Sequence, residues 1–393
     1  MSVAASAYAD DRLDPWRGRG DPTADALIAG VAASGEIRVV SEVLRHLVAN
    51  EQPIPELLPP TVAAWLTDTA RLPAWVDLER MERGTRLATD HGPQIAVTLV
   101  GASLPYCYAA YPDVKVLTFS HRLDQDPYRR VGETAQFVLG VSAPGSMRPG
   151  GKGIRKIQKV RLLHAAIRHL ITNSGRWDAA AWGTPINQEA LVGTLLSFSV
   201  LVARSLGVLG VRVSPQEAED WFYAWRVIGE MLGIAPDVLP REIDNATLLT
   251  EVIVGRNHRH SEDGVTMTRA LLELMADALP RRFNAAPAAL MRHLSGDELC
   301  DLLEVPRGEG RSLRRLSPRL GRVVDLAQSA PGLSRLTCTM GAGLLNRKAF
   351  ELAGRSRSAS FAIPVPDAPG RAWTASGVFP VIAKREDDAP TDR

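Results

Sequence analysis

Cysteine is scarce: Cys107, Cys300 and Cys338 are the only three among 393 residues. They form neither a CxxC nor a CxxCH pattern and no even-numbered framework for disulfides, which points to a reducing compartment. A surplus of charge is also missing, since 46 basic residues face 44 acidic ones for a formal net charge of +2. Without a one-signed field, neither nucleic acid nor stable insertion into an anionic membrane is expected. Long apolar runs are missing too. The most apolar stretch, from Leu191 to Gly210, is interrupted by Ser197, Ser199, Arg204, Ser205 and Gly207. That pattern suits a buried core helix better than a membrane span. The opening "MSVAASAYADDRLDPWRGRGDP" has Asp10, Asp11 and Asp14 where an export signal would carry a basic segment and then an apolar one. A cytoplasmic protein is therefore expected. Two-residue alternation is nearly absent. Only "SFAIPV" (360–365) and "SGVFPVIA" (376–383) hint at extended structure, and Pro364 and Pro380 would confine them to sheet edges.

What the sequence has instead is helical periodicity between proline and glycine marks. Candidate helices run over 24–50, 61–70, 77–90, 94–110, 127–142, 154–173, 188–209, 215–233, 265–279 and 311–328. Ten such segments predict an all-α protein with a bundle-like core in a single large domain over 23–384. A flexible N-terminal segment (1–22) precedes it and a disordered tail (385–393) follows. One helix start is fully specified: in "SPQEAEDWFYAW", Ser214 is the cap, Pro215 the first helical residue and Glu217 completes a capping box. The loop "APGSMRPGGKG" (143–153) has the turn chemistry to let its two flanking helices pack antiparallel.

Those two helices carry the candidate site. In 154–173, Ile157, Val160, His164, Ile167 and Ile171 recur at three and four residues and share one face. His164 is thereby expected to point into the core, while Arg155, Lys156, Lys159, Arg161 and Arg168 take the wet faces, with His169 beside them. An imidazole among aliphatic side chains needs an acceptor, a metal or both. A lone histidine on an apolar face is more often a satisfied core residue than a ligand. No HExxH and no histidine at i+4 supports chelation by side chains alone. A single histidine can, however, serve as the axial ligand of a haem, whose macrocycle supplies the other four donors. One helix earlier, in "PYRRVGETAQFVLGV", Arg130 and Thr134 share a face, with Phe137 at the next turn. Facing a cavity, that strip could steady negative charge on an oxygen species. Facing water, Arg129, Arg130 and Glu133 would be a salt-bridge set. His258 and His260 in "GRNHRHSEDG" read as a solvated turn. Trp221, Tyr223 and Trp225 in "DWFYAWR" read as core before channel lining.

The blocks "GASLPYCYAAYP", "RRVGETAQFV", "KVRLLHAAIRHLI", "PINQEALVGTLLSFS" and "AEDWFYAWRVIGEMLGI" resemble, in order and spacing, the latex-clearing-protein family of haem b rubber oxygenases, within the wider MpaB-like group of oxygenases. The likeness covers roughly 95–280. It implies a globin-like helical core with surrounding helices, noncovalent haem b with its iron on His164, dioxygen as co-substrate, and Arg130 and Thr134 beside the bound gas. It further implies oxidative cleavage of a carbon–carbon double bond. The family's lysine before the threonine is here Glu133, so distal lysine ligation does not carry over, and Glu133 becomes a candidate proton shuttle. For the family's upstream carboxylate the nearest counterpart is Asp113. A hydrophobic small molecule, isoprenoid- or lipid-like, fits a cytoplasmic protein better than a polymer. Two alternatives stay open: a haem monooxygenase of secondary metabolism, and a haem sensor or carrier without turnover. Oligomeric state is not legible.

Overall fold

Caps and prolines fix where the helices begin. Asp21 accepts a hydrogen bond from the Ala24 amide, Asp77 from those of Glu79 and Arg80, and Asn187 from that of Ala190. Pro22, Pro60 and Pro215 occupy first-turn positions where a missing N–H costs nothing. The Ser214–Glu217 capping box forms in both directions.

The computed structural model of the chain describes residues 8–119, 127–277, 279 and 284–307, without the side chains of 127–130. Along it run α1 (Asp10–Arg17), α2 (Pro22–Ala33), α3 (Ile37–His46), α4 (Pro60–Asp68), α5 (Leu78–Thr98), a π-helical turn (Leu99–Ser103), α6 (Leu104–Ala109), α7 (Tyr111–Phe119) and α8 (Pro127–Val141). There follow α9 (Gly153–Asn173), α10 (Ala179–Trp182), α11 (Gln188–Phe198), α12 (Val200–Val208), α13 (Pro215–Met231), α14 (Ile243–Asn257), α15 (Glu262–Asp277), α16 (Ala286–Ser295) and α17 (Asp297–Leu302). Among the described residues the only extended pairing is an isolated bridge between Ala110 and His258. The all-α reading holds.

Three apolar clusters organise the packing. The largest centres on α5 against α13, where Trp221, Phe222 and Trp225 are fully buried. A Cβ at Gly84 would overlap the Asp220 carbonyl, so only glycine lets these two backbones approach so closely. Arg80 and Arg83 pair with Asp220 at 2.9 and 3.3 Å, and the Trp75 indole donates to Glu230 at 2.9 Å. A second cluster packs α2, α3 and α4 on Leu162, Ala165 and Ala166 of α9. The third gathers Leu104, Tyr108, Val114, Met267, Leu271, Met291 and Cys300 from α6, α7 and α15–α17. Helix α9 supplies Ile154 and Ile157 to the first cluster and its second half to the second, so it is a wall between two cores.

Several expectations need correction. The N-terminal segment is not loose from Asp10 onward: Leu13 and Trp16 of α1 are buried in the first cluster, and Arg256 reaches back to Asp10 and Asp14. The ion-pair partners that order it are about 170–250 residues away, out of reach of local composition. The helix expected over 24–50 divides at Ser34–Glu36, where Gly35 adopts a φ of +74°. The helix expected over 188–209 breaks at Ser199, and Gln188–Val208, long and apolar enough by composition to cross a membrane, is mostly buried inside the protein. Helices α1, α7, α10, α14, α16 and α17 lie outside the expected segments. The helix expected over 311–328, the extended segments 360–365 and 376–383, and the tail lie outside the described residues.

Candidate functional site

Register fixes what faces what. Lys156 lies over Gly140, where a Cβ would overlap its ammonium end, and its Nζ donates to the Gln136 carbonyl at 3.4 Å. Since α8 and α9 are joined by the loop at 142–152 and pack on each other, they run antiparallel. Two turns beyond Lys156, His164 comes level with the first half of α8, the turn bearing Arg130, Glu133 and Thr134. Glu133, Thr134 and Phe137 are half-buried, while the Arg130 side chain lies outside the described residues.

The exposure of α9 departs from the simple stripe. Of the five residues on the His164 face, Ile157 and Ile171 are buried, but Val160, His164 and Ile167 are only half-buried. His164 is therefore only half-buried as a residue, although its ring Nδ1 is buried. The middle of this face is thus partly accessible, while its two ends are buried. The supposedly wet face is also corrected: Arg155 and Arg168 are 5 % and 3 % exposed. Arg168 pairs with Asp25 at 2.7 Å and donates to the Ile186 carbonyl, and Arg155 donates to Gln158 at 2.8 Å. Arg161 holds Asp21 at 2.5 Å. Periodicity cannot distinguish a solvated guanidinium from one with an internal partner.

A carboxyl sits on a neighbouring helix. Asp113 on α7 keeps accessible surface, yet desolvation raises its proton affinity from the ordinary 3.8 to about 7. The negative charge of Glu189 adds to the rise and Arg17 opposes it. The carboxyl is thus held where its charged form is disfavoured, although the residue keeps some accessible surface. Glu189 is 1 % exposed and held by Arg17 at 2.9 Å, Arg256 at 3.1 Å and the Asn257 amide at 2.9 Å. Cys107, whose thiol burial pushes up to about 11, rests 3.5 Å from the Ser197 hydroxyl. Helix α15 packs on both α7 and α8, and Val131 of α8 joins the cluster that holds Val114. The carboxyl's helix and the Thr134 helix thus pack on one shared apolar cluster.

Sequence reading placed little weight on Asp113 and missed Glu189. The second had a signal, a lone acid in the apolar run "PINQEALVGTLL" that no water could reach. His258 is corrected as well: its Nε2 is buried and its ring meets Tyr106 edge to face, so only His260, 3.1 Å from Glu304, fits the solvated turn. Trp221, Tyr223 and Trp225 are core as expected. Among the described residues no three His, Cys, Asp or Glu side chains converge as a chelating site.

Comparison with known proteins agrees with this architecture. A rubber oxygenase of Streptomyces sp. (strain K30) is 26% identical over 304 residues, 77% of this chain and 74% of its own length. The solved structure of latex clearing protein in the closed state superposes with a TM-score of 0.67 at 24% identity, over 92% of this chain and 89% of that one. It supports the globin-like helical fold in one domain. Residues 93–326 match the profile of the family described as ER-bound oxygenase mpaB/B'/rubber oxygenase, catalytic domain, and the chain belongs to that family.

Proposed function

We propose that the protein is a haem b-dependent oxygenase that uses dioxygen to cleave the double bond of an apolar, isoprenoid- or lipid-like alkene, giving carbonyl products. The observation that supports this reading is the half-buried His164 in the middle of α9, level with the Arg130–Thr134 turn. The donor set fits the group. A haem needs one imidazole from the protein, whereas a metal held by side chains alone needs three or four donors, a grouping absent among the described residues. Cations crowd the same helix: burial, with Lys156 and Arg155 adding repulsion, lowers Lys159 to about 8. The carboxylates of a haem would relieve that crowding.

His164 would hold the iron, and the haem when bound supplies the binding and activation of dioxygen. The chain's own residues do the rest. Val160 and Ile167, one turn to either side of His164, keep water from the imidazole. The Thr134 hydroxyl and Arg130 offer donors where negative charge develops. Asp113, poised near neutrality, takes or returns a proton at its carboxyl oxygen. The half-buried Phe137, Val160 and Ile167 would suit a substrate that is a hydrophobic small molecule, and the free thiols Cys107 and Cys300 favour a cytoplasmic setting.

The test is the absorption spectrum of the protein and of His164→Ala, both supplied with haemin. A Soret band with a b-type pyridine haemochromogen, lost in the variant while the helical circular dichroism is retained, is the expected result. A wild-type protein that takes up no haemin overturns the proposal. Turnover with labelled dioxygen then counts the inserted atoms: two for cleavage, one for a monooxygenase. No alkene consumption by the loaded protein would leave a sensor or carrier.

A further inference from the structure

Two polar atoms deep in the fold have no partner. Tyr106 on α6 is 4 % exposed, and its hydroxyl is buried without a hydrogen bond. Nε2 of His258, at the end of α14, is buried and unpartnered in the same way. The two rings meet edge to face with centroids 4.5 Å apart. An unsatisfied buried polar atom is costly, and one small hydrogen-bonding occupant between two of them would satisfy both.

The backbone ties this pair to Asp113. Ala110 forms the isolated bridge with His258, the Arg259 amide donates to the Ala109 carbonyl at 3.1 Å, and the Asp113 amide donates to the Ala110 carbonyl at 3.1 Å. The fields of Asp113 and Glu189 both reach Tyr106. His258 spans two environments, since Nε2 is buried while the residue as a whole is only half-buried. Burial lowers the imidazole to about 4, which keeps it neutral, and raises the Tyr106 phenol well above its ordinary range, which keeps it protonated. A neutral imidazole and a phenol can each accept a proton on one side and release one on the other without storing charge.

We propose that Tyr106 and His258, bridged by a water molecule, form a proton relay between the Asp113 carboxyl and bulk solvent. The relay rests on the reading of Asp113 as the proton-holding group of the site. The Asp113 proton passes through a second water to the Tyr106 oxygen as the phenol's own proton moves through the bridging water to His258 Nε2. The other ring nitrogen releases its proton outward. Each group regains its starting composition after the imidazole exchanges tautomers, and nothing is oxidised or reduced.

Infrared spectroscopy of the full-length protein at pH 5 reads the relay without haem or substrate. At that pH Asp113 is protonated while ordinary carboxyls are mostly ionised, and its C=O stretch is identified by its loss in Asp113→Asn. On rapid mixing into D2O, the band shifts at the rate of proton exchange. Tyr106→Phe, which keeps the ring packing, and His258→Gln are each expected to slow that shift by about tenfold or more. In histidine-labelled protein, Tyr106→Phe should also displace the Nε2 nitrogen resonance of His258. Exchange as fast in both variants as in the wild type overturns the relay, because Asp113 then reaches water directly and the ring pair serves packing only. No Asp113 band in the wild type at pH 5 overturns instead the reading of Asp113 as proton holder, and the relay with it. Loss of the His164-dependent Soret band is a separate result that leaves the exchange measurement standing.

Discussion

Two antiparallel helix pairs divide the work of this fold. In α5–α13, contacts pass from Asp77 with Tyr223 through Gly84 with Asp220, and the side chains between are sealed, aromatic and ion-paired. In α8–α9, Lys156 lies over Gly140, but the pair then presents half-buried Glu133, Thr134, Phe137, Val160, His164 and Ile167. The first pair spends its apolar surface on stability. The second leaves surface uncovered at the level of its only central histidine, and uncovered apolar surface beside a polar strip is where a ligand gains most from binding.

Glycines make the sharpest break in that comparison. Gly84→Val drives a side chain into the Asp220 backbone, which cannot give way as a flexible side chain can. A loss of about 3 kcal/mol or more, or outright failure to fold, is expected by denaturant titration. Gly132→Ala on α8 meets nothing within 4 Å. It should stabilise by about 0.5–1 kcal/mol through helix propensity. Equal sensitivity at the two positions would mean that α8 is as tightly packed as α5, and the contrast would be lost.

How much of this was legible in sequence differs between the pairs. Ser214, Pro215 and Glu217 specify the start of α13 locally, and Trp221 and Trp225 declare its buried face by spacing alone. The spacing of His164 was equally legible, yet its environment was not. A three-four repeat shows which residues share a face but not how far that face is buried. Arg168 illustrates the same limit, for its burial depends on Asp25 and on the Ile186 carbonyl, which no local pattern links to it. Asp113 and Glu189 interact across helices α7 and α11, and their joint effect on proton affinity exists only once the chain is folded.

Asp113 provides the next test, read in both stability and rate. Its proton affinity is about 7 folded against about 4 for an unfolded aspartate. Between those values the unfolded chain releases a proton that the folded chain keeps, so stability falls as pH rises from about 4 to about 7. Asp113→Asn should remove that part of the decline, seen as a flatter midpoint-versus-pH curve in urea. If the ionised carboxylate is the base, oxygenase turnover rises through pH 7 in the wild type. In the variant the rise disappears and the rate falls by about a hundredfold. An unchanged stability profile would show that Asp113 is solvated, and the carboxyl would no longer differ from one on the surface.

The smallest effect concerns a single charge on α8. Glu133 precedes Thr134 on the helix level with His164, and a carboxylate there is a poor partner for an iron that an amine could bind. In haemin-loaded wild-type protein the ferric spectrum should therefore be that of a water-bound or five-coordinate haem. Glu133→Lys places a primary amine at the same backbone position. If that position faces the haem, part of the population should convert to a low-spin spectrum above neutral pH, as the ammonium loses its proton and the amine coordinates. Because amine coordination requires proton loss, the low-spin fraction must increase with pH and reverse on acidification. A Glu133→Gln control, with no amine to offer, should remain high-spin throughout. Identical spectra for the lysine variant and the wild type across that range would turn Glu133 away from the iron, and α8 would then contribute to the site through Thr134 alone.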